Sequence, residues 1–493
     1  MAISNLDLCE ATADRLVSWL ETGETTSVAI VNALLERVRE IDAPGTQIEL
    51  RSVLALATNA VDAARHADEE RSAGTIRSAL HGVPILIKDN IEAVGLPGTA
   101  GSTGLLNRPV SNDAPLVTRL RDAGLIILGS TNLSQWANMR SPMSTSGWSA
   151  VGGLTANPYQ LDRCAGGSSS GSGAALAARL APLAVGTETD GSITCPASLN
   201  GVAGIKPAVG TVPGGGIVPI SASQDSAGPM ARTIRDVAAL YEVLAALDGV
   251  VDRVLQGQGH ARVGVAATLM TGHPATDAVF HAALDAARGC GLKTVDIDVA
   301  LAGDVVGTDE VTVLLCEMSD DLTTFLVRRG GDGPSSLAEV IEFENAHVDV
   351  ELPFFGHEYF DQALATGGRS GAAYQAARAS NLAWAIETCL EPALAEVDCY
   401  LAPCYSPAWK NDFVLGGSGS ARWSQVTQAP AIAGWPIATV PMGLVDGLPV
   451  GMAIVGRPGS EPTMLAIAFA IEQAVDLYNT GALTPTFIQA ARG

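Results

Sequence analysis

Positive charge is scarce in this 493-residue chain: 29 lysines and arginines stand against 52 aspartates and glutamates, a formal charge of −23. A phosphate backbone needs basic surface, so nucleic acid is excluded as a partner and an anionic membrane surface is disfavoured. The acidic excess reads as solubility. Cysteine is sparse too. The eight cysteines, at 9, 164, 195, 290, 316, 389, 399 and 404, are few for so long a chain, which argues against a disulfide framework, and they form no C-x-x-C pair of the kind a zinc site of ordinary spacing uses. They are expected to be small buried apolar residues. No uncharged apolar run reaches the roughly 18 residues of a membrane span. Residues 1–16 lack the basic segment followed by an apolar one that marks a secretory signal. A cytoplasmic location is the simplest expectation. Aromatics make up only 5%, whereas 47% of residues are apolar and glycine is abundant. That balance suits helices packed closely on a sheet.

The pattern along the chain alternates. Residues 1–42 read as helical, with Thr26 or Ser27 capping a helix whose apolar positions are Val31, Leu34, Leu35, Val38 and Ile41. A second helix is predicted over 56–67. Val83–Ile87 is a short apolar run, hence a buried strand, and it ends at Lys88. A helix over 115–123 and a strand over 125–128 follow. Residues 141–174 and the stretch reaching about 216 are rich in glycine and serine, but apolar elements interrupt both, so they read as ordered loops. From Ala231 helices are expected at 231–247, 274–289, 309–328, 335–348, 370–396 and 460–475. Strands are expected at 263–266, 400–402, 437–440 and 452–455. The strand–helix alternation indicates an α/β layered fold. With no repeat and no linker, the chain reads as one large domain.

Four segments could carry chemistry. Gly167-Ser168-Ser169-Ser170-Gly171 matches G-x-S-x-G, but no buried strand precedes it and no histidine lies in a comparable loop, as a nucleophile elbow needs. The same loop could cradle a phosphate ahead of a helix, yet no G-K-[ST] follows the glycines. Lys88 at a strand end could be a functional amine, or an ordinary lysine paired with Asp89 or Glu92. Thr187 to Thr194, with Gly191-Ser192 at its centre, could aim several backbone N–H groups at one point, or Ser192 could simply cap a helix.

Taken together, Lys88-Asp89, Gly166-Gly167-Ser168-Ser169 and Gly191-Ser192-Ile193 resemble the amidase signature family. The likeness runs on through Pro196-Ala197, Gly204-Ile205-Lys206-Pro207 and, near the end, Ala433-Gly434-Trp435-Pro436 and Val455-Gly456-Arg457-Pro458. Within that family the chain is most similar to bacterial peptide amidases, on the evidence of residues 131–138, 146–150 and 187–192. The resemblance implies one domain with a large twisted mixed sheet covered by helices on both faces. Its parts would be an N-terminal helical region (1–70), a signature core (80–230), a variable substrate-groove region (231–420) and a C-terminal return to the core (421–493). It also implies roles. The family's lysine falls on Lys88, its bridging serine on Ser168 (after a cis peptide) and its nucleophile on Ser192. The N–H groups of Thr189, Asp190, Gly191 and Ser192 would form the oxyanion hole. Asn138 would contact substrate. No metal or organic cofactor is implied, and no partner beyond a peptide or small-molecule amide.

The chemistry asks one thing of Lys88. A serine hydroxyl needs a base, and none of the seven histidines lies in these motifs. A lysine serves only when neutral, and burial can lower its pKa by several units. Neutral Lys88 would take a proton from Ser168, and Ser168 from Ser192. Asp190 stands where the family usually has glycine, and Glu188 where it usually has aspartate. Asp190 reads either as a turn-forming residue or as a selector that accepts from a primary carboxamide and repels a free carboxylate. Other expectations stay open: an amidase of the same family acting on fatty, aryl or cyclic amides, or a non-catalytic binding protein with a relic site.

Overall fold

The computed structural model describes residues 3–257, 259, 261–413 and 424–491. Eleven strands form one mixed sheet. In chain order they are β1 (Val53–Leu56), β2 (Pro84–Lys88), β3 (Ile126–Thr131), β4 (Leu183–Glu188), β5 (Ala203–Lys206), β6 (Ser226–Ala231), β7 (Val263–Ala266), β8 (Thr294–Ile297), β9 (Cys399–Pro403), β10 (Ile437–Val445) and β11 (Leu448–Gly456). Across the sheet the order is β1-β3-β2-β4-β6-β5-β10-β11-β9-β7-β8. β2 and β4 are buried at every residue. Side chains alternate faces along a strand, so both faces of the sheet are covered there, and a continuous apolar run such as Pro84–Ile87 follows. The helices Ile234–Ala245 and Glu461–Val475 lie over β5 and β6 and over β10 and β11 respectively. No described helix is long and apolar enough to cross a membrane.

Register places the chemistry. β2 and β4 are parallel neighbours, with Ile85, Leu86 and Ile87 opposite Leu183, Ala184 and Val185. Their carboxyl ends therefore emerge side by side, and Lys88 arrives beside Thr187. The glycine- and serine-rich loop is then stitched across both ends, and the helix Ser170–Ala177 packs over the strands.

Several elements differ from the sequence reading, for local reasons. The helix expected over 56–67 runs Ala60–Ser72, and the apolar residues before it form edge strand β1, antiparallel to β3. The stretch 141–174, read as an ordered loop, ends instead in a helix that begins at Ser170, inside the Ser-Gly-Ser-Gly run. Tertiary contact overrides propensity there: a Cβ on Gly171 would lie 2.6 Å from both the N and the O of Asn132. β5, β6 and β8 were not anticipated. β6 reads Ser-Ala-Gly-Pro-Met-Ala, where glycine and proline mimic a turn signal, yet it pairs with β4 over six residues. Of the region expected to line the groove, 258, 260 and 414–420 lie outside the described residues.

Gly171→Ala should cost at least about 3 kcal/mol, since backbone on the facing segment cannot give way, while Gly289→Ala, with nothing within 4 Å of the added carbon, should stay within about 1 kcal/mol of wild type. Equal thermal stabilities for the two variants would remove close approach as the reason for glycine at 171.

Candidate active site

Lys88 is wholly buried at the end of β2. Its Nζ lies 2.7 Å from Ser168 Oγ, 2.8 Å from Thr187 Oγ1 and 3.3 Å from the Thr187 carbonyl oxygen. The two acidic neighbours that could have paired with it are engaged elsewhere. Asp89 accepts from the N–H groups of Gly98 and Thr99, at 3.1 and 2.7 Å, and Glu92 pairs with Arg328 at 2.7 Å. Burial pulls the amine down to about 7, against the opposing fields of Asp225 and Glu188. A neutral amine has two N–H donors and one lone pair. In that form the two oxygens of Thr187 would match the donors and leave the lone pair facing the Ser168 hydroxyl. Asn90 Nδ2 donates to the same Thr187 Oγ1 at 3.0 Å and so orients it.

The Gly167–Ser168 peptide is cis. Ser168 is fully buried, whereas Ser192 keeps 8% of its surface exposed. The Ser169 N–H donates to the Ser192 carbonyl at 3.1 Å, which sets the two loops edge to edge. Ser169 itself is consumed: its hydroxyl donates to Thr187 O at 3.1 Å and accepts from Thr187 N at 3.2 Å. It therefore ties the loop to β4, and the nucleophile-elbow reading of this motif has no support. Ser192 does not cap the helix Thr194–Leu199 either. Glu188 takes that place, its Oε2 accepting from Ile193 N at 2.6 Å and Thr194 N at 2.8 Å. The N–H groups of Thr189, Asp190, Gly191 and Ser192 meet no protein acceptor among the described residues. Gly191 has φ +78°, which lets the turn close.

Asp190 does not hold the loop as a turn-forming aspartate would. One of its carboxylate oxygens is buried without a hydrogen-bond partner. Burial lifts its pKa to about 6 and the charge of Glu188 adds to this, while a hydrogen bond from Thr427 and the charge of Lys206 oppose it. Asn138 stands third in a left-handed run, with φ of 50°, 53° and 71° at Trp136, Ala137 and Asn138. Its Nδ2 donates to Ser146 Oγ at 3.1 Å, and its Oδ1 is buried and unpartnered. Ser146 in turn packs on the Gly167 carbon, so Asn138 joins the cluster through one intermediary. Trp136 and Trp148 belong to apolar packing, edge-on to Phe360 and to Phe354 and Phe355. His81 lies in the turn before β2 and is buried there, with Nε2 3.0 Å from Ala67 O.

Sequence reasoning missed several participants. Thr187 opens the segment Thr187 to Thr194 and Asn90 directly follows Lys88-Asp89, but nothing in a sequence marks a threonine as the seat of an amine. Asp225 accepts from the Thr189 hydroxyl at 2.5 Å and from Ile220 and Ser221 N–H at 2.8 and 2.9 Å. Buried Lys206 donates to Trp435 O at 3.1 Å. Glu310, on the helix Asp304–Arg329, accepts from Gln224 and Gln428 at 3.0 Å each. Burial and the neighbouring Asp190 hold its pKa well above the carboxylate range.

The family model for Amidase matches residues 29–465. The chain belongs to the amidase family. This amidase is similar along nearly its whole length to the native peptide amidase from Stenotrophomonas maltophilia, at 38% identity and TM-score 0.87, covering 94% of this chain and 97% of that one. An amidase family protein from Bacillus anthracis superposes with TM-score 0.85 at 27% identity, covering 97% and 94%. In sequence, a glutamyl-tRNA(Gln) amidotransferase subunit of Symbiobacterium thermophilum is 32% identical over 490 residues, 94% of this chain and 96% of its own length. The family match and these neighbours make the chain an amide-hydrolysing enzyme with the amidase signature fold.

The buried amine of this amidase has a measurable cost. Its pKa falls from 10.5 to about 7 on folding. The unfolded chain therefore binds more protons between those values, and stability rises with pH across that window. Lys88→Met abolishes the dependence. Its stability relative to wild type should be highest near pH 6.5 and decline by on the order of 3 kcal/mol by pH 9.5 in denaturant unfolding. A difference that does not vary with pH would mean that the amine keeps its charge when buried.

Proposed function

We propose that this amidase hydrolyses primary carboxamides through a Ser192 acyl-enzyme, with Ser168 and neutral Lys88 as the proton relay. The observation that carries this reading is the set of three oxygens around Lys88 Nζ, in which no carboxylate takes part. Ser168 passes its proton to the amine and takes one from Ser192. The Ser192 oxygen attacks the carboxamide carbon while the N–H groups of residues 189–192 receive the oxyanion. The proton returns through Ser168 to the leaving ammonia. Water, deprotonated by the same relay, then releases the acid.

Asp190 and Asn138 are assigned to substrate. Above about pH 6 Asp190 is an acceptor whose free oxygen suits the NH2 of a primary amide and repels the carboxylate product. That preference supports C-terminal peptide amides, or small amides like them, as substrates. The 38% identity with a peptide amidase points the same way.

Ser192→Ala should abolish both turnover and labelling by a fluorophosphonate while the fold is kept. Turnover should rise with pH through about 7, because only the unprotonated amine is a base. Full activity in Ser192→Ala, or a rate constant from pH 6 to 9, would sink the relay. Asp190→Asn should lower kcat/KM for acetyl-phenylalanine amide by about tenfold or more and strengthen inhibition by acetyl-phenylalanine, a difference of about 1.4 kcal/mol in each. Unchanged product inhibition in that variant would remove Asp190 as the selector.

A further inference from the structure

Tyr405 has no place in the relay, yet it lies against it. It follows β9, two residues beyond Pro403. The neighbouring backbone is anchored on both sides: Cys404 N donates to Gly451 O at 2.9 Å and Cys404 O accepts from Ser424 N at 3.2 Å. The ring is wedged between two apolar clusters, one containing Cys164, Cys195, Leu199 and Trp409, the other containing Cys404 and Ile437. A ring held in this way fixes its hydroxyl. That hydroxyl occupies the space where a side chain on Gly191 would begin; a Cβ there would collide with Tyr405 Oη before meeting any other atom. Gly191 is thus required twice, by its positive φ and by the phenol beside it.

The hydroxyl is unspent. Among the described residues no hydrogen bond to Tyr405 Oη is formed. Nor is the oxygen among the buried atoms left unsatisfied, so it keeps some exposed surface beside Gly191. Burial of the ring holds the phenol well above its ordinary pKa, with Cys195, Cys404, Asp190 and Glu188 adding to the effect. It remains a donor at any pH at which the relay runs.

A donor at this point needs an acceptor on the substrate. A peptide amide brings two kinds of acceptor, the oxygen of the reacting carboxamide and the carbonyl of the preceding peptide unit. The first has four backbone N–H groups waiting for it. We propose that Tyr405 is a further substrate-contacting residue, its hydroxyl donating to the carbonyl of the peptide unit that precedes the carboxamide. The assignment rests on the Ser192 reading and deepens it: the enzyme would be selective for acylated amino-acid amides over amides that lack the second carbonyl.

The test is Tyr405→Phe, which keeps the ring and its packing and removes one oxygen. Acetyl-phenylalanine amide is the substrate, and the rate of Ser192 labelling by a small alkyl fluorophosphonate, which has no second carbonyl, is the control. The expected result is a fall of about tenfold or more in kcat/KM, as for one lost hydrogen bond, with labelling within about threefold of wild type. Hydrolysis within twofold of wild type would overturn the proposal. So would a parallel loss of hydrolysis and labelling, which would make Tyr405 a prop for the Gly191 turn. Wild-type protein that is hydrolytically active but not labelled at Ser192 would remove the Ser192 reading, and this proposal with it.

Discussion

Everything in this site depends on one amine kept out of water without a counter-charge. A lysine buried beside a carboxylate would stay protonated and could accept nothing. Here the two carboxylates next to Lys88 in sequence are each engaged, Asp89 by backbone N–H groups and Glu92 by Arg328. Asp225 and Glu188 do act on the amine from a distance, but both are already solvated by N–H groups of the loops they hold. Desolvation therefore wins. The site is built by deciding where carboxylates may not go as much as by placing the serines.

The acidic balance of the chain takes on a second meaning. Read as composition, it concerned solubility. In the structure, many of the most informative carboxylates are internal and organise backbone. Glu188 seats the start of the helix after Ser192, and Asp225 holds the Thr189 side of the same turn. Glu351 grips the Thr103 N–H at 2.8 Å and Gln135 at 2.5 Å, and Glu344 takes the Trp136 indole at 3.0 Å. The last two fix the left-handed run that presents Asn138. The departures at 188 and 190 also separate cleanly. The longer Glu188 reaches two N–H groups of the following helix, while Asp190 keeps an oxygen for something the protein does not supply. Their roles differ although they stand two residues apart.

Much of this was legible in the sequence because the relevant signals are local. An apolar run ending in lysine marked β2 and its terminus. Ser168, Ser192 and the N–H-bearing turn came from the resemblance to the amidase signature family, which several short motifs carry in order along the chain. The rest was hidden for physical reasons. β5 and β6 contain glycine or proline, which argues against a strand until the neighbouring strand is known, and β8 is a four-residue edge strand that exists through its pairing with β7. Thr187 matters because two parallel strands are in one register. Glu310 and Tyr405 reach Asp190 and Gly191 from more than 100 residues away, and no spacing rule connects them. The nearest sequence clue to Tyr405 lies at Gly191, where the glycine leaves room for something that the sequence does not name.

The chain has four lysines, Lys88, Lys206, Lys293 and Lys410, so lysine labelled at the ε-carbon would give an NMR spectrum simple enough to assign by comparison with Lys88→Met. The signal missing from that variant is expected to titrate with a midpoint near 7. A Lys88 signal that remains that of an ammonium until above pH 9 would contradict the neutral-amine relay, because Ser168 would then have no base.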